Sequence, residues 1–160
     1  MRIAVLGALL FFAVFAAPLW NAGPVPEARP DPALALAVAI ALRVPPASAG
    51  AIGFATGVVL AAAAGRSPGA FMVSRTVVAF AVGYVRRLVL GESVWVTVLV
   101  AWGASIACDL VFYAMSPKAS AASCAVRSLT GATLNAFCAA PAYYVARWAL
   151  YRPALVLPRE

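Results

Sequence analysis

Residues 94–115 read VWVTVLVAWGASIACDLVFYAM, twenty-two positions with a single formally charged side chain, Asp109. A run of about 20 apolar residues is what a helix needs to cross the hydrocarbon core of a bilayer. The rest of the chain has the same character. Of its 160 residues 65% are hydrophobic and 11% charged, and the mean hydropathy is +0.96, far beyond the range of a soluble domain of this size. Residues 1–160 are therefore expected to form one polytopic, all-α membrane domain.

Apolar windows fall at 3–20, 32–43, 48–64, 70–85, 94–115 and 128–148, predicting six transmembrane helices. The second is short. Asp31-Pro32 opens it and Val44-Pro45-Pro46 closes it, because proline suits the first turn of a helix and turns its predecessor away from one; a tilted or interfacial segment is the alternative. Gly65-Arg66-Ser67-Pro68-Gly69 reads as a turn of breaker residues after the third window. Arg2 before the first apolar run resembles the start of a signal peptide, but no small-x-small cleavage pattern follows it, so an uncleaved anchor is expected.

An even number of spans puts both termini on one side. Arg2, Arg43, Arg86, Arg87, Arg147, Arg152 and Arg159 then share that side, while Arg29, Arg66, Lys118 and Arg127 lie on the other. Seven basic residues against four predict cytoplasmic termini. The net charge of +7 thus reads as topological anchoring and not as a nucleic-acid surface. Trp20, Trp95 and Trp148, with Tyr143, Tyr144 and Tyr151, sit where aromatic side chains anchor a membrane–water boundary.

Inventory argues against catalysis. The chain has no histidine, hence neither a histidine base nor a histidine metal ligand. Cys108, Cys124 and Cys138 lack CxxC-like spacing and read as small packing residues. No phosphate-binding glycine motif is present. Glu27 and Asp31 are separated by a proline and read as solvated loop acids. No catalytic residue, metal ligand or cofactor site is expected.

Two charges nevertheless fall within apolar windows. Arg75 and Asp109 each lie about six residues from the outer ends of their spans, roughly 9 Å deep at 1.5 Å per residue. A charge at such depth is costly unless paired or hydrated. An Arg75–Asp109 ion pair between antiparallel neighbours is expected, with Asn135 at similar depth able to hydrogen-bond to either. Separate snorkelling of the two charges and a ligand-handling cluster are the alternatives. Ala49, Gly53, Gly57 and Ala61 recur every fourth position, a small-residue stripe that lets a second helix approach closely. A helix of the same chain is the expected partner. Gly131, Asn135 and Ala139 form a lesser stripe on the last span.

Arg29-Pro30-Asp31, the short apolar helix after it, Arg43-Val44-Pro45-Pro46, the Gly53/Gly57 helix, the Gly65–Gly69 turn, Gly83-Tyr84 and the Asp109 setting Ala107-Cys108-Asp109-Leu110-Val111-Phe112 follow one another in an order that resembles the rod shape-determining protein MreD family. The likeness is carried by residues 29–115. It departs where MreD-like sequences often place an acidic residue, at Ala61-Ala62-Ala63-Ala64 here. The resemblance implies a non-enzymatic scaffold of the bacterial inner membrane. It would bind the bitopic protein MreC and, in the same complex, RodA and its penicillin-binding transpeptidase, with MreB reached indirectly, in support of peptidoglycan synthesis and cell shape. It also implies a fold similar to the S component of energy-coupling-factor transporters, with an outward-opening cavity. Arg29, Asp31, Arg66, Arg75, Asp109 and Asn135 would then form a partner-binding or polar cluster on the outer side. The alternative is an S-component-like subunit that binds a vitamin or other small molecule, for which Ala4 and Ala8 would form a docking motif.

Overall fold

A computed structural model describes Gly7 and residues 30–64, 67–86, 88, 93–117 and 120–150. The expected first span, Ala4, Ala8, Arg29 and Arg66 lie outside the described residues, apart from Gly7, which is helical. Five further helices follow: α1 Pro32–Ala41, α2 Pro46–Ala64, α3 Pro68–Val85, α4 Val94–Met115 and α5 Ala121–Leu150. Among the described residues the fold is all-helical. Helices α2, α3 and α4 have the length and composition to cross a membrane.

Helix α1 is the centre of the bundle. Its ten residues are apolar on every side, and a helix without a polar face has to be buried all round. Residues Ala33 to Ala41 are all buried, with α2, α3, α4 and α5 packed around them. This excludes the interfacial placement. Ten residues rise only about 15 Å, roughly half the hydrocarbon thickness, and each half-buried end of α1 has a polar partner. At the start, Pro32 occupies the first turn, and Asp31 Oδ1 accepts the Leu34 N–H at 2.9 Å. At the other end Arg43 Nη1 donates to the Ala39 carbonyl, and its guanidinium lies 4.6 Å from the centre of the Tyr143 ring. An arginine there satisfies a helix-end carbonyl that has no partner further along the helix.

Helices α2 and α3 form a tight pair. Gly53 faces the Arg75 carbonyl and the Ala79 side chain. A Cβ on Gly57 would lie 2.8 Å from Met72 Cα. The small-residue stripe is thus turned onto a helix of the same chain, and Ala49 and Ala61 on it are buried. Of the turn expected at residues 65–69, Gly65 and Arg66 lie outside the described residues, Ser67 takes up a left-handed conformation with φ of 47°, and Pro68 and Gly69 already belong to the next helix.

Helix α5 begins seven residues before the expected start at residue 128 and runs for 30 residues with Pro141 inside it. Ser120 starts it: its hydroxyl accepts the Ser123 N–H at 3.3 Å, a cap of the kind serine favours. Arg127, expected in a loop, is therefore helical. Large apolar side chains such as Phe54, Val77, Phe80, Leu99, Trp102 and Phe137 lie on the outside. In a membrane they face lipid; in water so wide an apolar surface would be an aggregation hazard.

Candidate functional site

The start of α1 is a polar knot in an apolar bundle. Asp31 divides its carboxylate between two tasks: Oδ1 caps the helix, and Oδ2 forms an ion pair with Arg75 Nη2 from α3. The Asp31 backbone N–H donates to Asn135 Oδ1 of α5. Asn135 Nδ2 in turn donates to Ser105 Oγ of α4 at 3.0 Å, and the Ser105 hydroxyl donates to the Ala101 carbonyl at 2.8 Å. One residue at the mouth of a short helix thereby joins three surrounding helices.

Arg75, Asn135 and Ser105 are buried at 3%, 4% and 3% exposure. Burying a guanidinium is tolerable only with an anion and hydrogen bonds at hand. Asp31 supplies the anion. The Arg75 Nε and Nη1 atoms are buried without a hydrogen-bond partner among the described residues, so one side of the cation is satisfied and the other is not. Ser74 of α3 and Cys108 of α4 are also buried, and the Ser74 hydroxyl donates to the Phe71 carbonyl at 3.3 Å.

The expected Arg75–Asp109 pair is not formed. Successive helical residues are turned by about 100°, and the two neighbours of α4 divide accordingly: Cys108 is buried, whereas Asp109 is exposed. Among the described residues the ion pair of Arg75 is with Asp31. Asp31, read from the sequence as a solvated loop acid, is the true partner, because the short α1 carries its capping residue down to the level of Arg75. Asn135 does join the cluster, bonded to Asp31 and Ser105 and to neither of the two residues expected.

Ser105 was missed by the sequence reading. It precedes Asp109 by one helical turn and is buried with Ala101 and Cys108, on a side of α4 that its uniformly apolar sequence does not single out. The groups gathered here are a paired cation and anion, an amide, two hydroxyls and a thiol. Such a set fixes helices to one another and can hold an oxygen or nitrogen ligand. Among the described residues no group of three or more potential metal ligands comes together.

No protein-family model, curated protein or solved structure matches the chain.

The central amide can be tested directly. Asn135→Leu removes the acceptor of the Asp31 N–H and the donor to Ser105 together, leaving buried polar groups unpaired at about 1–3 kcal/mol. The expected result is a lowered melting temperature in detergent with the helical content retained at low temperature; an unchanged melt would show that the amide carries no structural weight.

Proposed function

We propose that the protein is an MreD-like, non-enzymatic scaffold of the bacterial inner membrane that binds MreC and supports peptidoglycan synthesis by the elongation complex. In this reading it has six spans, with both termini in the cytoplasm and the Asp31 end of α1 toward the outside. RodA and its transpeptidase belong to the same assembly, and MreB is reached indirectly.

The observation that carries the reading is the work done by Asp31 in the Arg29-Pro30-Asp31 entry. In the likeness to MreD this motif is a landmark; here its aspartate is the residue through which α1 is held to α3 and α5. The fixed α1 supports the surrounding helices, and the tight α2–α3 pair adds a rigid wall, as a docking platform requires. Asp109 lies on the exposed side of α4, so the two acidic landmarks of the resemblance have separate tasks, one internal and one at the surface.

The small-molecule reading draws on one specific feature, the unfilled donors of Arg75. Co-purification separates the two. Tagged protein extracted in mild detergent should bring MreC with it; a clean failure, or recovery of a bound vitamin with an ATPase pair, would overturn the scaffold reading.

A further inference from the structure

We infer that the end of the bundle where α1 and α5 finish binds the phosphate of an anionic phospholipid through Arg43 and Arg147, with an acyl chain laid along the aromatic ridge of α5. The inference needs only the membrane reading of the fold and goes beyond the binding of MreC.

The charge at this end has one sign. The last turns of α1 and α5 pack together, Ile40, Ala146 and Ala149 sharing one buried cluster. A Cβ on Gly83, near the end of α3, would lie 2.7 Å from Pro46 Cα at the start of α2, so α3 finishes at the same level and α4 begins there. The described charges at this level are Arg43, Arg86 and Arg147, whereas the described acids, Asp31 and Asp109, stand toward the opposite end. Arg87, Glu92 and Arg152 lie outside the described residues. Among the described residues three helices end here and two begin, so their dipoles leave about half a negative charge against three full positive ones.

Arg43 is held in place, with its guanidinium 4.6 Å from the centre of the Tyr143 ring and Nη1 donating to the Ala39 carbonyl. Arg147 follows Tyr143 by one helical turn, which makes the two side chains neighbours on α5, and it is exposed. One cation is thus fixed by the fold, and the second reaches out beside it. Phe137, Tyr144 and Trp148 recur at spacings of seven and four along α5 and are 74%, 61% and 56% exposed. They form a ridge that runs from the middle of the helix to the level of Arg147. A small soluble anion would leave that ridge uncovered, whereas an amphiphile uses both parts: its phosphate oxygens accept charge-assisted hydrogen bonds from the guanidinium groups, and its hydrocarbon covers the rings. The headgroup is anionic, because a zwitterionic one would bring its ammonium among arginines with no carboxylate, among the described residues of this end, to receive it.

Phosphatidylglycerol, phosphatidylcholine and inorganic phosphate, each added to the full chain in a neutral detergent, test this by thermal melting and by the ligand retained in native mass spectrometry. Phosphatidylglycerol should raise the melting temperature and stay bound, and the other two should do neither. Arg147→Gln, at an exposed position, should melt with the parent in lipid-free detergent yet retain phosphatidylglycerol about fivefold to tenfold more weakly, the loss expected of one cation beside an anionic headgroup. Arg127→Gln removes an exposed cation near the other end of α5 and should retain the lipid as the parent does. Parent-like retention by Arg147→Gln would overturn the inference. Equal losses in the two variants would overturn it too, by showing attraction to the net charge and not a site, and an equal shift with inorganic phosphate would show a site for soluble anions instead of lipid. None of these results depends on whether MreC co-purifies, so the scaffold reading and this one fail separately.

Discussion

Replacing Arg75 by methionine, with Asp31 left in place, is expected to cost about 3–5 kcal/mol of stability, the range seen when one member of a buried ion pair is removed and the other is stranded. Arg75 is almost fully buried and its partner largely so, the side chains being 4% and 22% exposed. Methionine fills a similar length, so the loss reports the stranded carboxylate and not a cavity. Asp31→Ala should be comparable, because it strands the guanidinium and also removes the N-cap of α1, itself worth about 1 kcal/mol.

The combination Asp31→Asn/Arg75→Met should recover most of the loss, since asparagine still caps and no charge remains. Exchanging the two residues should not recover it: an arginine at position 31 cannot cap the helix, so the pair would be restored at the expense of the start of α1. Asp109→Asn, on the exposed side of α4, should stay within about 0.5 kcal/mol of the parent. Thermal melts read by fluorescence-detected size-exclusion chromatography in one detergent measure all five proteins. A methionine variant that melts with the parent, or an Asp109 variant that falls as far as the Arg75 one, would show that the pairing is wrong.

The contrast between Asp31 and Asp109 marks where the sequence could be read and where it could not. The apolar windows predicted the positions of α1 to α4 to within a few residues, because hydrophobic runs and their proline or glycine boundaries are local properties. The extension of α5 to residue 121 was harder to see, since its first turns contain serines, a cysteine and Arg127 and have no apolar signature. Depth along a span was legible too: Arg75 and Asn135 were expected at one level and do meet through Asp31. Azimuth was not. In α4 nearly every position is apolar, so the pattern does not say which side faces inward, and one step along the helix separates buried Cys108 from exposed Asp109. Asp31 was misread for a related reason. Its loop-like sequence signals a helix start correctly, but only the packing of four helices around α1 places that start inside the bundle.

A side chain at Gly57 should be nearly as damaging as the loss of Arg75. Its added Cβ would come within 2.8 Å of both Met72 Cα and the Phe71 carbonyl oxygen, backbone atoms that cannot turn aside as a flexible side chain does. The helices must separate, and separation costs more here than in water. Lipid offers no hydrophobic drive to hold α2 against α3, so their association depends on close van der Waals packing. Gly57→Ala is expected to cost about 1–3 kcal/mol, as overpacking does, and Gly57→Leu to prevent stable folding. Gly53 adds a coupling. Its neighbours are the Arg75 carbonyl and the Ala79 side chain, so pushing α3 away at this level also draws the guanidinium away from Asp31. Gly53→Ala should therefore lose less in the Asp31→Asn/Arg75→Met background than in the parent, a non-additivity that a double-mutant cycle measures. Gly103, which has no atom within 4 Å of an added Cβ, is the control: alanine there should be neutral or slightly stabilising, because it favours the helix by about 1 kcal/mol over glycine. Equal losses at Gly103 and Gly57 would show that helix propensity and not contact governs these positions; additive losses for Gly53 and the ion pair would show that the α2–α3 seam and the start of α1 are held independently.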